Sequence, residues 1–371
     1  MKVLIVSVKT GYGHHSTAKA IIDYLTEKGV TCEMLDTFEY INPLLADSID
    51  NGYMFSTKYF PEIYGKAYDK LDRHDEKWDK RSPVTILSKI VSNQLKDYIT
   101  SYAPDVIIGT HSYACMMMTY LREKEIVTCP LVGIITDFTV HPFWESTELD
   151  YYVIPNELLR NRARKKGIPD EKILPFGIPI RKQFSSNMPK AEARKMLGIE
   201  DKTTILVMMG SMGFGNVVKD ILSIDDLEED FQILCVCGKN EKMKAEIESI
   251  RWNKKVKSYG FVDNVDVMMD ASDLIITKPG GLTSSEFLAK KLPAIIMNPI
   301  PGQENRNTEF LVNNGAAVMV TDTFSLEEAL FQMMENKGRI ELLRKSVEIL
   351  GKPEATKDVC EFVMKLAKGE N

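Results

Sequence analysis

No run of apolar residues in this chain reaches the roughly 18 that a membrane-spanning helix needs. No secretory leader is expected: Met1-Lys2-Val3-Leu4-Ile5-Val6 runs straight into a glycine turn and reads as a first strand. A basic surplus is missing too. With 47 Lys and Arg against 53 Asp and Glu, the net charge is −6, which argues against broad nucleic-acid binding and leaves room only for a local basic patch. Cysteine is sparse, with six residues scattered mostly through apolar runs. Cys235 and Cys237 stand one residue apart in a strand-like run, which is not the spacing of a zinc knuckle or a redox dithiol. Buried, reduced thiols in a cytoplasmic protein are expected.

What is present is strand–helix alternation, twice over. At 371 residues the chain exceeds one ordinary core, and two domains are expected. In the first half, strand-like runs occur at 3–8, 30–35, 103–111, 130–137 and 151–154. In the second they occur at 203–209, 231–237, 256–260, 274–277 and 294–297. Alternation of this kind implies parallel sheets covered by helices on both faces. The fold class is therefore α/β, with two doubly wound, Rossmann-like domains facing a cleft. Gly177-Ile178-Pro179 and the polar stretch to Pro189 mark the boundary. The expected domains are 1–182 and 183–350, with a C-terminal helix in 351–371. The span from about 42 to 98 breaks the pattern. It is rich in aromatics and mixed charge and reads as an insertion of helices with an apolar face.

The most telling stretch is Lys278-Pro279-Gly280-Gly281-Leu282-Thr283-Ser284-Ser285-Glu286, between a strand-like and a helix-like run. A glycine pair there lets backbone N–H groups approach a phosphate, and the helix N-terminus adds positive partial charge. Glu286, one turn in, can take two vicinal hydroxyls of a ribose. Pro301-Gly302-Gln303-Glu304-Asn305 offers amides and a carboxylate after a turn, which suits a hexose. Diphosphate, ribose and hexose together describe a nucleotide-sugar. No Asp-x-Asp triplet occurs, so no metal is expected at the diphosphate. The helix dipole and backbone amides would stabilise the leaving group instead. Gly213, in the glycine-rich turn Gly210–Gly215 after the strand at 203–209, is a further candidate on the donor side.

In the first half, Gly11-x-Gly13 with Asp36 ending the second strand resembles a dinucleotide fingerprint, but Ser16 stands where the third glycine belongs. A tight turn with no ligand is an alternative. A third reading rests on His14, which opens the helix and can act as a base toward an acceptor hydroxyl. Asp137 follows an apolar strand and can orient or deprotonate such a hydroxyl, or simply cap the next loop. His141 lies close by, and Trp144 lines an apolar entrance or belongs to the core. The run Arg160-Asn161-Arg162-Ala163-Arg164-Lys165-Lys166-Gly167 is either a dipole-complementing helix end or a contact with an anionic membrane surface, with Arg160 and Arg164 as candidates.

Taken together, these residues resemble the bacterial processive diacylglycerol glucosyltransferases and the plant monogalactosyldiacylglycerol synthases. The landmarks run along most of the chain: Gly11-Tyr12-Gly13-His14, Thr136-Asp137-Phe138 with His141 and Trp144, Gly177-Ile178-Pro179-Ile180, Lys278-Pro279-Gly280-Gly281 with Thr283 and Glu286, and Pro301-Gly302-Gln303-Glu304. The resemblance implies a GT-B glycosyltransferase fold and inverting transfer from a UDP-sugar to diacylglycerol. It also implies a lipid acceptor held by the first domain and a C-terminal helix that crosses back to it. By motif, Gly280, Gly281 and Thr283 would meet the diphosphate, Glu286 the ribose, and Gln303 and Glu304 the hexose. His14 and Asp137 are the candidates for the base. The loop at 210–215 matches the family only loosely. No cofactor is implied, since the UDP-sugar is a substrate, and the enzyme is expected on the cytoplasmic face of the cell membrane.

Glucose is favoured over galactose by the overall likeness to the bacterial enzymes. A transferase using UDP-N-acetylglucosamine on another lipid, a non-catalytic nucleotide-sugar sensor and a dinucleotide-dependent oxidoreductase are the competing readings.

Overall fold

The computed structural model describes residues 1–9, 13–43, 65–66, 90–210 and 216–370. The chain forms two compact units. One contains Met1–Lys182, Ile300–Gln303 and Glu354–Asn371; the other contains Gln183–Pro299 and Glu304–Pro353.

The first unit is built on six parallel strands: β1 (Lys2–Ser7), β2 (Thr31–Asp36), β3 (Val106–Gly109), β4 (Leu131–Ile134), β5 (Tyr151–Val153) and β6 (Ile173–Leu174). Their order is β2-β1-β3-β4-β5-β6, so the direction of winding reverses between β1 and β3. Val3–Val6 and Val106–Ile108 are fully buried, as strands covered on both faces must be. The helix Gly13–Glu27 lies on one face through Ala18, Ile21 and Leu25 and ends before Gly29, whose φ of +78° is a left-handed conformation that glycine adopts without strain. The helix Ala355–Leu366 packs on the same unit. Val359, Cys360 and Val363 join Ile21 and Leu25 in the core. Thr356 Oγ1 accepts from Ile180 N at 3.0 Å and donates to Ile180 O at 2.6 Å.

The second unit has the strands β7 (Thr204–Met208), β8 (Gln232–Val236), β9 (Lys255–Tyr259), β10 (Leu274–Thr277), β11 (Ala294–Ile296) and β12 (Ala317–Met319). All are parallel, in the order β12-β11-β10-β7-β8-β9, with the reversal between β7 and β10. This is the dinucleotide-fold order, in which ligands bind beyond the carboxyl ends of the strands at the reversal.

Two strands were not expected. β6 has two residues and β12 three, too short to show a period. The polar stretch expected as a linker is bonded to the second unit. Lys290 Nζ donates to Ser186 O and to Asp270 Oδ2, which also accepts from Met188 N. The aromatic insertion lies largely outside the described residues.

Candidate active site

Two sets of candidate residues sit at carboxyl ends of strands, one beyond the winding reversal of each unit. In the first, β1 and β3 flank the winding reversal. His14 is the second residue of the helix that follows β1. Its Nδ1 lies 2.8 Å from the backbone carbonyl of Thr110, just past β3, and 3.1 Å from Thr136 Oγ1, just past β4. A carbonyl can only accept, so Nδ1 carries the proton and Nε2 keeps its lone pair. Burial pushes the His14 pKa down to about 4; the Thr110 carbonyl opposes this and neighbouring His15 adds to it. His14 is neutral at working pH because its charged form is poorly solvated.

His15 Nε2 lies 3.1 Å from Asp36 Oδ2. Asp36 also accepts from the backbone amides of Lys9, Phe38 and Glu39. Desolvation would raise its pKa, but the bonds from His15 and these amides outweigh it and hold the carboxyl below its usual value. In a dinucleotide site an acid at this place is presented to a ribose. Here its oxygens are occupied by the protein, as the cap of the helix Thr37–Ile41.

Asp137 follows Thr136 directly and is partly buried, so chain connectivity keeps it beside the His14 contact. His141 Nδ1 accepts from Phe143 N at 3.1 Å and caps a short 3₁₀ turn. Trp144 requires a correction. It is 5% exposed, closes on Gly133 and lies 6.3 Å from the Tyr152 ring, so among the described residues it belongs to the core. A Cβ at position 133 would come within 2.8 Å of the indole, so glycine is what admits it. Arg160 pairs with Asp170 at 3.2 Å, and Arg164 stands 61% exposed with its Nε 3.9 Å from the same carboxylate. Both lie on the helix Arg160–Lys165, closed by Gly167 at φ +82°. The dipole-complementing reading of this run holds locally, and Arg164 remains outward.

In the second unit, Gly280 sits at the N-cap of the helix Gly281–Ala289 with extended φ, and no side chain caps that end. Its first-turn amides, including that of Thr283, are the intrinsically unpaired donors of a helix start. Glu286 is 7% exposed on the second turn. Lys278 Nζ donates to Glu304 Oε1 at 2.8 Å, and Asn307 Nδ2 donates to Pro279 O at 2.9 Å. The first bond joins the two sequence motifs, and the second ties the first motif to Asn307, two residues beyond the second. Gly210, past β7, has φ +79°, and a Cβ on it would stand 3.0 Å from Lys278 Cε. Gln303, which groups with the first unit, opens the helix Gln303–Asn313, and Glu304 is the first residue of that helix in the second unit. Gly213 and Gly11 lie outside the described residues.

Two residues with clear structural parts were missed from the sequence. Asn307 is fully buried, and its signal was only a polar residue on the buried face of a helix. His111 ends up beside His14, with ring centroids 4.6 Å apart. A histidine just past an apolar strand was the available sign.

Comparison with known proteins adds the family. Residues 14–180 match the family model of monogalactosyldiacylglycerol (MGDG) synthase, and residues 204–359 match the glycosyltransferase family 28 C-terminal domain. The chain is 26% identical over 367 residues to a processive diacylglycerol beta-glucosyltransferase of Bacillus pumilus, covering 98% of this chain and 94% of that one. It is 28% identical over 370 residues to its namesake in Bacillus thuringiensis, covering 98% and 93%. Among solved structures it resembles MurG of Acinetobacter baumannii, with TM-score 0.66, 18% identity and coverage of 98% and 99%. It also resembles the UDP complex of MnaA from S. aureus, with TM-score 0.64, 13% identity and coverage of 99% and 97%. The expected GT-B architecture is that of the chain.

Proposed function

We infer the activity from family: the chain belongs, through its N-terminal half, to the monogalactosyldiacylglycerol synthases and, through its C-terminal half, to glycosyltransferase family 28. It is a hexosyltransferase that moves a sugar from a UDP-sugar to the hydroxyl of 1,2-diacylglycerol. Glucose is favoured, because the full-length relatives carry that sugar in their names.

One observation carries the donor side. The uncapped start of the helix Gly281–Ala289 lies at the end of β10, beside the winding reversal, with the Lys278–Glu304 pair next to it. Oriented amides there favour the developing charge on the departing UDP. Lys278 adds a positive charge and Glu286 takes the ribose hydroxyls. Gln303 and Glu304 hold the hexose, with Glu304 steadied by Lys278. No metal is needed to stabilise the leaving group.

On the acceptor side, His14 Nε2 is the base. Its pKa of about 4 makes it weak, so it takes the proton late, as the new glycosidic bond forms and UDP leaves from the opposite face. Inversion at the sugar follows. Asp137, beside Thr136, favours the imidazolium as it forms. The enzyme works at the membrane surface as a peripheral protein of the cytoplasmic face, with Arg164 toward anionic lipid. Among the described residues no helix is long and apolar enough to cross a bilayer.

The test is incubation with diacylglycerol-containing vesicles and a panel of UDP- and GDP-sugars, followed by lipid analysis. A glycosyl-diacylglycerol formed from a UDP-hexose is expected. Donor hydrolysis or binding without any lipid product would overturn the assignment.

A further inference from the structure

We propose that His111 is a second acceptor-binding residue, whose Nε2–H donates a hydrogen bond to the ester carbonyl of diacylglycerol adjacent to the hydroxyl that His14 Nε2 deprotonates. The proposal deepens the acceptor-site reading above and rests on it.

The two histidines are held in fixed and opposite tautomers. His14 Nδ1 faces the Thr110 carbonyl, so His14 presents a lone pair at Nε2. His111 is the opposite case. It is the N-cap of the helix Ser112–Glu123, and its Nδ1 accepts from the Tyr113 backbone amide at 3.1 Å. An amide can only donate, so His111 Nδ1 is unprotonated and the proton of the neutral ring sits on Nε2. The rings meet edge to face, with centroids 4.6 Å apart and planes at 66°. Adjacent main-chain positions thus set both rings, the carbonyl of residue 110 fixing one while residue 111 is the other.

Neither Nε2 has a hydrogen-bond partner among the described residues, and both histidines are partly exposed. The pair therefore offers one acceptor and one donor on adjacent rings. A lone hydroxyl would not use both well, because a donor bonded to the attacking oxygen would draw electron density from it and lower its nucleophilicity. A hydroxyl beside an ester uses both. The hydroxyl gives its proton to His14, and the ester carbonyl, which can only accept, takes the bond from His111. Diacylglycerol carries this arrangement on neighbouring carbons. His111 stays neutral because burial disfavours its charge, and His14, His141 and His15 disfavour it further.

Two variants separate recognition from folding. Asn places an oxygen where histidine has Nδ1, and is itself a favoured N-cap. Gln places an N–H donor near Nε2 but gives up the cap. In His111→Asn, UDP affinity and melting temperature should stay at wild-type values, while kcat/KM for a dioleoylglycerol acceptor falls about tenfold, the scale of one hydrogen bond. With the dialkyl-ether analogue, which has no carbonyl, the same variant should change by less than roughly twofold, so the diester preference collapses. His111→Gln should melt lower yet keep that preference. Wild-type kcat/KM for the diester in His111→Asn would overturn the proposal, as would equal loss on diester and diether. A wild-type enzyme that makes no product from either lipid would instead remove the diacylglycerol reading itself, and the two failures are thereby distinguished.

Discussion

The Thr110 carbonyl accepts a 2.8 Å hydrogen bond from His14 Nδ1 across 96 residues of chain. The orienting group is main chain, so it fixes the tautomer without bringing a negative charge. That explains why burial prevails and the His14 pKa sits at about 4.

The pH dependence follows from that shift. Folded His14 titrates at about 4, below its ordinary 6.5, so between these values the unfolded chain binds more protons. The stability it contributes is present above pH 6.5 and is lost as pH falls toward 4. Melting curves should show a declining midpoint across that window, with a shallower decline in His14→Ala. A midpoint that rises on acidification would contradict the assignment. The same variant should lose turnover by about 10²-fold while still binding UDP, the scale of a missing general base.

Glu286→Ala should weaken UDP binding by about 1.5–3 kcal/mol, the range for bonds to a charged group. Calorimetry measures this directly. Unchanged affinity would place the ribose contact elsewhere.

On the proposal that helix amides and Lys278 stabilise the leaving group, turnover should survive EDTA. Loss in chelator that is restored by Mg²⁺ or Mn²⁺ would show that account to be incomplete.

Arg164→Glu should reduce sedimentation with vesicles containing anionic lipid and leave binding to neutral vesicles unchanged. Each basic residue near such a surface contributes about 1 kcal/mol, and charge reversal should roughly double the effect. Equal binding to both vesicle types by the variant and the wild type would remove Arg164 from the membrane contact.

Lys290→Met should destabilise the protein by about 3–5 kcal/mol, because it strands Asp270. The two side chains are only 1% and 4% exposed, and burial already raises the Asp270 pKa despite its partner. The double variant with Asp270→Leu should recover most of the loss in a denaturant titration. No recovery would mean that the packing of the 183–190 stretch, and not the stranded charge, sets the cost.

Local chemistry was legible in the chain wherever a short stretch decides it. Apolar runs such as Val106–Ile108 and Leu274–Ile276 announced buried parallel strands, and Gly280-Gly281 announced a helix start. Trp144 shows where such reading stops. An aromatic near an expected acceptor site looks the same in sequence whether it lines an entrance or fills the space over Gly133.

By itself the sequence determined two α/β units, the helix starts and the chemical types of the site residues, because strand burial, glycine turns and capping act over a few residues. Tertiary structure alone decided which of those residues meet. It joined Lys278 to Glu304 and Pro279 to Asn307, and it brought His14 to Thr110, Thr136 and His111. These contacts span 26 to 122 positions. They depend on strand order, β1 beside β3 and β7 beside β10, which is selected by the burial of whole sheets and leaves no periodic trace in any one segment.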